Sequence, residues 1–519
     1  MKKILLYFVA VAGSCMLNTG CDDFLDKSNY TVVEEDWALH TEEGVNALLN
    51  GLYNYVSSAN YYGRHIYAYE MAKGPDIFLI ASGGGRFETE QRYTEGSQSG
   101  GRNTYLWQTC YQVIRNATIL LEAMENNDIK GDEINLKRIK GEALALRGMA
   151  YFDLLRCFSR PPIYSCTFGA NYSENYKWGV PLVKTVEMGT NSHKNDIRRA
   201  TADDSYAYVE ENFLEAEALL AQTTTNFTNG HINHAAVCAL LMRMYLYMAR
   251  WDDVITWGEA AERSMKTFGN AMLPFASWYS SYYQPFNVES IFELGYSRSD
   301  NLGSDALSST MHKQIHMLAP DDPMDGTVKL NTGYAAYGIQ PAAQKLLKEH
   351  PQDVRAYLIC DLGVKGYLSC RRYVGIEYPN VHNVPIIRVP EIYLSLAEAW
   401  IEKGQTATAS NYYDLVRKAR TNEAIGFQKS AKEDVLKELL LERRREMMCC
   451  GHTYWDFFRR ATTFTREGTE RAASKTNINF ASGTAQWIYP IPYNEMNNNK
   501  AIRDQQNPGY AEYVEIEEE

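Results

Sequence analysis

The stretch HAAVCALLMRMYLYMARWDDVITWGEAAERSM, residues 234–265, limits the fold more than any other part of the chain. Its apolar side chains recur at spacings of three and four on both sides of a break near Arg250, so each half draws one stripe along a helix. Trp251, Val254, Ile255 and Gly258 fall on one face of the second half. Two stripes separated by so short a break bury themselves against each other, which predicts a helical hairpin. PEIYLSLAEAWIEKGQTATASNYYDLVRKAR, residues 390–420, has the same form, with Lys403 to Gln405 as the connection and Gly404 as the stop. In NLKRIKGEALALRGMAYFDLLRCF, residues 135–158, a third stripe runs through Leu136, Ile139, Ala143, Leu146 and Ala150. Gly148 and Ala150 beside Tyr151 leave room for a neighbouring helix. Further helices are expected at Glu43–Ser57, Thr104–Glu125, Asp203–Ala221 and Lys432–Cys449.

Helix pairs of roughly 34 residues, with small residues at the crossing and an aromatic at the turn, mark tetratricopeptide-like units. The strict Trp-Leu-Gly-Tyr pattern is met in none of these pairs. About four hairpins, not contiguous in sequence, are expected, and they give an all-α, tetratricopeptide-like fold. Between the helices lie residues 61–102, 159–194, 271–331 and 465–492, which carry no helical period. Loops of that length in a compact protein tend to be functional, so the activity is expected there.

The opening MKKILLYFVAVAGSCMLNTGC has Lys2 and Lys3, an apolar run from Ile4 to Ala12, and small residues leading to Cys21. That is the layout of a secretory signal, too short to span a bilayer. A lipoprotein signal peptidase cuts before such a cysteine, and the freed thiol takes diacylglycerol; two or three acyl chains anchor a protein stably. Cys21 is the expected lipidation site. Asn18 stands where a lipobox prefers Leu, Val or Ile, and Cys15, behind Ala12, Gly13 and Ser14, is a rival acceptor. Cleavage without lipidation is the third reading. Residues 1–20 are thus read as a signal peptide and 21–519 as a single domain with the four loop insertions.

No later stretch approaches about 18 uninterrupted apolar residues. A net charge of −12 and a pI near 5.5 argue against nucleic acid as a partner. Eight further cysteines (110, 157, 166, 238, 360, 370, 449 and 450) form no C-x-x-C pair, and burial as small apolar side chains is expected of them.

Several motifs together resemble the SusD/RagB family of surface nutrient-binding lipoproteins. CDDFLDK is similar to the family's mature N-terminus, where acidic residues behind the lipidated cysteine act as an export signal. LWQTCYQVIRNATIL resembles its W-x-x-x-Y-x-x-I-x-x-x-N helix through Trp107, Tyr111, Ile114 and, displaced by two, Asn116. GEALALRGMAYFDLL followed by GVPLV looks like its second hairpin, with Ser159 to Trp178 inserted before Gly179. RVPEIYLSLAEAWIEKG and LLLERRREMMCCGHTYWDFFRR resemble its C-terminal helices, and YPIPYNEM with QQNPGY its closing motif. Two departures stand out. Cys450 replaces a Glu before Gly451 and Thr453 replaces an Arg ahead of Asp456, so a core ion pair is expected to be lost or re-made. The resemblance implies a helical scaffold with irregular loops on one side, lipid-anchored on the cell surface of a Gram-negative outer membrane. It implies a partner, a SusC-like TonB-dependent transporter barrel, and capture of oligosaccharides or, for some members, peptides. It implies no reaction.

A direct search for chemistry adds little. H-E-x-x-H, Walker, G-x-S-x-G and G-x-G-x-x-G patterns are absent. His231 and His234 in HINH, three apart, could present two imidazoles to a metal but read better as a helix start. DDPMDG, Asp321–Gly326, clusters oxygen ligands as calcium loops do, but Pro323 and Gly326 make an ordinary turn. No metal or cofactor is expected. A carboxylate pair for glycoside hydrolysis is always available among 64 acidic residues and carries no weight.

Sugar recognition needs aromatic faces plus planar polar groups. PFASWYSSYYQPFN concentrates Trp278, Tyr279, Tyr282, Tyr283 and Phe286, and ASGGGRFETEQRYTEGSQSGGRNTYLW supplies Arg86, Phe87, Arg92, Tyr93, Arg102 and Asn103. Trp278, Tyr279, Tyr282, Tyr283, Arg86, Tyr93 and Asn103 are the expected ligand contacts, with Tyr172, Tyr176 and Trp178 as runners-up. Packing over the helices is the competing account of the first cluster, and a solvated loop that of the second. A peptide-binding member of the family and a structural surface protein stand as the other functional readings. Replacing Cys21 by Ala should move the protein from the membrane to the soluble fraction and abolish fatty-acid labelling; persistent labelling would assign the anchor to Cys15.

Overall fold

The structure, a computed structural model, describes residues 35–80, 86–96, 101–186, 197–223, 230–312, 315–317, 328–330, 333–334, 337–361, 366–376, 378, 380–467, 476–480 and 484–511. Its helices are α1 (Glu42–Ser57), α2 (His65–Lys73), α3 (Arg102–Asn126), α4 (Glu133–Phe158), α5 (Ala202–Leu220), α6 (His234–Tyr247), α7 (Trp251–Thr267), α8 (Val389–Glu402), α9 (Thr406–Thr421), α10 (Lys432–Met447) and α11 (Thr453–Arg459), with shorter turns between. Side-chain caps fix four of the starts. Thr41, Asp132, Thr201 and Asn233 each accept from the backbone N–H three residues on, at 3.0, 2.7, 3.1 and 3.0 Å. Gly404, at φ +77°, turns the chain between α8 and α9.

α3 packs on α4, α4 on α5, α5 on α6, α6 on α7, α7 on α8 and α8 on α9 and α10, while α1 lies against α3 and α4. The all-α stack of hairpins expected from the periodicity is therefore present. Close approach depends on missing side chains: a Cβ on Gly148 would lie 2.7 Å from Phe213 Cε1, and one on Gly258 2.6 Å from Leu396 Cδ2. The eight cysteines among the described residues are buried and unbridged.

The long inter-helix stretches hold more regular structure than their sequence suggests. Residues 61–102 contain α2, whose nine residues are all buried, so no amphipathic stripe marks it. Antiparallel pairs then knit distant loops together. β1 (Ile77–Leu79) pairs with β3 (Tyr337–Ile339), Phe78 opposite Gly338, and β2 (Ser290–Leu294) pairs with β4 (Val384–Arg388). The closing motif acts as a latch: Asn507 Nδ2 donates to the carbonyls of Phe158 and Tyr489 at 2.8 Å each, and Arg199 Nη1 to Gln505 O at 2.6 Å.

A buried ion-pair lattice crosses the C-terminal helices. Glu446 of α10 meets Arg420 at 2.9 Å, Arg388 at 2.9 Å and Arg355 at 3.3 Å. Glu289, just ahead of β2, takes Arg420 at 2.7 Å, and Glu442 takes Arg355 at 2.6 Å and Arg445 at 3.0 Å. The two sequence departures are absorbed here. Arg388 reaches the Cys450 thiol at 3.6 Å but is neutralised by Glu446, and Asp456 is held by Arg443 at 2.7 Å and Arg459 at 2.9 Å.

Glu398, fully buried, receives Arg459 at 2.6 and 2.7 Å and Arg460 at 2.8 Å. Burial alone would raise its pKa; Arg459 and Arg460 outweigh that and bring it down to about 2. Because the folded value lies below the unfolded one, this carboxylate stabilises the fold above about pH 4.5, and the contribution fades as the pH falls towards about 2. Glu398→Gln should cost about 3–5 kcal/mol at pH 7 and flatten the pH dependence of the urea midpoint between about pH 5 and 3. An unaltered pH profile would show that the pair does not couple to folding.

Candidate functional site

An open cleft of about 610 Å3 is lined by Asn60, Arg64, His65, Arg86, Phe87, Gly101, Arg102, Tyr105 and Asp305. Helix ends build it. Arg64 and His65 stand at the start of α2, and Gly101, Arg102 and Tyr105 at the start of α3, a 25-residue helix whose N-cap Gly101 (φ +121°) offers no side-chain cap. Phe87, buried and in the left-handed region at φ +58°, carries Arg86 into the cleft and meets His65 edge-on at 5.4 Å. A phenylalanine persists at such a φ only where its surroundings hold it, and these backbone outliers gather at functional sites.

Arg64 and Arg86 both bond one oxygen of Asp305, the Arg86 contact being 2.9 Å. Burial raises the Asp305 carboxyl, but Arg86 and Arg64 hold it below the usual carboxylate range. Arg86 lies 3.8 Å above the Tyr334 ring and Arg102 4.7 Å above Phe87. Arg102 has no carboxylate partner among the described residues. Burial, then the charges of Arg64 and Arg102, push the His65 imidazole well below its ordinary value, so it is neutral; its Nε2 lies 3.2 Å from Tyr489 Oη. Tyr105 is 53 % exposed and presents its ring to solvent beside the cleft. The arrangement can bind a polar molecule through guanidinium edges and one aromatic face.

The residues expected from sequence divide into two places. Arg86 lines the cleft. Asn103 follows Arg102 but is 5 % exposed, and Tyr93 packs on Trp487 with ring centroids 5.2 Å apart and donates to the carbonyl of Lys73. The aromatic stretch 278–286 lies elsewhere. Trp278, 1 % exposed, is inside the core and stacks on Tyr282 at 4.5 Å, so its ring faces are taken by protein. Tyr282 receives a hydrogen bond from Arg372, Tyr283 donates to Arg371 O at 2.8 Å, and Tyr279 meets Tyr357 edge-on at 5.4 Å. Tyr282 and Tyr283 border a small, partly open pocket of about 50 Å3. Packing accounts for Trp278, while Tyr279, Tyr282 and Tyr283 are part-exposed. Cys21 and Asp321–Gly326 lie outside the described residues.

Sequence reasoning passed over Asn60, Arg64, His65, Tyr105 and Asp305. Tyr105 carried a usable signal: it falls on the face of α3 opposite to Leu106, Cys110, Val113 and Ile114, an aromatic where the helix otherwise faces water.

The HINH histidines part company. His231 Nδ1 contacts Glu142 at 2.8 Å, whereas His234 meets Glu217 at 2.8 Å and Ser264 at 2.8 Å, with the Cys238 thiol 3.6 Å away. Glu217, His234 and Cys238 bring three ligand atoms within 4.8 Å, the third-ligand geometry that the sequence did not reveal. Both ring nitrogens of His234 are occupied by protein groups, so hydrogen bonding accounts for the cluster without an ion.

Comparison with known proteins gives one consistent picture. A family model described as "Starch-binding associating with outer membrane" matches residues 23–246, and one described as "SusD family" matches residues 377–510. A SusD-like protein, P25, of Formosa agariphila is 20 % identical over 462 residues, covering 80 % of this chain and 81 % of the relative. A SusD superfamily structure from Bacteroides thetaiotaomicron is 26 % identical with a TM-score of 0.74, over 90 % of this chain and 100 % of the other. A putative sugar-binding protein and a SusD-like carbohydrate-binding protein, both from Bacteroides vulgatus, align at TM-scores of 0.76 and 0.72. They are 24 % and 20 % identical, over 91 % and 89 % of this chain and 99 % and 97 % of theirs.

Trp278→Ala should lower stability by about 3–5 kcal/mol, read as a drop in the denaturant midpoint. A midpoint unchanged by the substitution would return Trp278 to the list of ligand contacts.

Proposed function

Since the chain belongs to the SusD/RagB family, we propose that it is a cell-surface lipoprotein that binds an oligosaccharide and passes it to a partner TonB-dependent transporter barrel. The observation that carries this reading is the open cleft at the starts of α2 and α3, large enough for more than one sugar ring and edged by the exposed Tyr105. The C–H face of a pyranose lies flat on such a ring, and Asn60, Arg86, Arg102 and Asp305 supply donors and acceptors for hydroxyls around it. Acyl chains on Cys21 would hold the domain at the outer surface, where the cleft meets extracellular polysaccharide. Binding rather than turnover is the role. The nearest carboxylate to the cleft, Asp305, is tied to two arginines and held ionised, which suits it to fixing side chains and not to proton transfer.

Calorimetry and affinity electrophoresis of the lipid-free chain against a polysaccharide and oligosaccharide panel test the proposal. At least one glycan should bind, and Tyr105→Ala should weaken it about tenfold with an unchanged melting temperature, since the ring is mostly in water. Binding of peptides in place of glycans, or co-purification with a barrel protein but no small ligand at all, would replace this reading.

A further inference from the structure

Resting on that reading, we propose that the cleft selects acidic oligosaccharides and takes a carboxylate or sulfate of the sugar onto Arg102, with Arg64 and Arg86 completing the site. Charge is the first argument. Three guanidiniums against the one carboxylate of Asp305 leave two positive charges on the lining of a cleft in a chain whose net charge is −12. His65 adds no charge, because burial and the two arginines beside it keep it neutral. All three arginines also act on the buried Tyr337 hydroxyl, which burial and the Glu90 carboxylate push up and Arg102, Arg64 and Arg86 pull down, so their charges converge on one region behind which Glu90 is the opposing charge. Positive charge concentrated in a concave, low-dielectric site raises the local concentration of anions and speeds their capture.

Geometry is the second. The rings of Tyr334 and Phe87 lie against Arg86 and Arg102; Arg86 Nη1 is already given to Asp305, and Arg102, with no carboxylate partner among the described residues, has its N–H groups for a ligand. A guanidinium so presented matches carboxylate or sulfate oxygens two at a time. The N-terminus of α3 adds its own partial positive charge at Gly101 and Arg102, and no side chain caps it. Behind the lining, Arg64 Nε and Nδ2 of Asn103 are buried without a hydrogen-bond partner, so the wall itself carries unmatched donors. A neutral sugar offers only hydroxyls to these groups, which does not offset taking two unmatched cations out of water. An anionic sugar offers the counter-charge as well.

The experiment uses the full lipid-free chain and a panel of uronate-rich and sulfated polysaccharides, each paired with its methyl-esterified or desulfated form. Hits should be confined to the acidic members, weaken at least tenfold on neutralisation, and weaken further as sodium chloride is raised. Loss on esterification assigns a carboxylate; loss on desulfation assigns a sulfate. Arg102→Gln should weaken binding at least tenfold, and Arg102→Lys should recover part of it. The salt dependence of the wild-type chain keeps the test decisive if a variant folds poorly. Neutral glycans that bind as well as acidic ones, or acidic ones whose affinity ignores both neutralisation and salt, would overturn the inference and leave the glycan-binding reading standing. Acidic peptides binding where no glycan does would overturn both.

Discussion

Glu446 of α10 is the residue on which the C-terminal half depends, because three arginines from three separate segments end on its single carboxylate. Arg355 comes from a short helical turn, Arg388 from the end of β4 and Arg420 from α9, so one buried charge holds a loop, a strand and a helix to a fourth element. Such a cluster contributes little net stability beyond what apolar residues of the same volume would give. What it contributes is selectivity: an alternative packing that separated any one arginine from the cluster would strand a charge in the core. The run LERRREMM supplies the pattern economically, since Glu442, Arg443, Arg445 and Glu446 are all buried on α10, Glu442 and Glu446 sharing Arg355 while Arg443 reaches Asp456.

The same lattice reaches the loop layer. Glu289 stands at the foot of β2 and takes Arg420, while its Oε1 accepts the backbone N–H of Leu273 at 2.8 Å. β2 is in turn paired to β4. Irregular chain is therefore pinned to the helices by charge and by short ladders, and the core aromatics, Trp278 among them, fill the space between. The cleft sits apart from this lattice, at helix starts, where the helix dipole favours charge of the opposite sign.

Much of the scaffold was legible in the sequence. Amphipathic periods located α1, α3 to α10 and the turns at Arg250 and Gly404 to within a few residues. α2 was invisible for a physical reason: a helix buried on every side has no polar face, and its charged Glu70 and Lys73 read as loop residues. The site was less legible. Composition alone does not separate an aromatic that stacks on ligand from one that fills a core, and in the richest cluster Trp278 is buried while Tyr279, Tyr282 and Tyr283 are part-exposed. Arg86, singled out in a glycine-rich stretch, lines the cleft; Arg64, Tyr105 and Asp305 line it too but come from positions far apart in the chain, which only folding brings together. The core ion pair put in doubt by Cys450 and Thr453 was re-made by neighbours whose proximity only the fold creates.

Asp305 gives the cleft a built-in competitor. Its carboxylate already occupies Arg64 and Arg86, so an acidic cargo entering the cleft would have to share or displace a resident anion. The exchange works in both directions. As cargo leaves, Asp305 re-forms its pairs, and departure does not strand two bare cations. Under the proposed role, such an arrangement would lower the barrier to release while keeping the charges that draw an anion in.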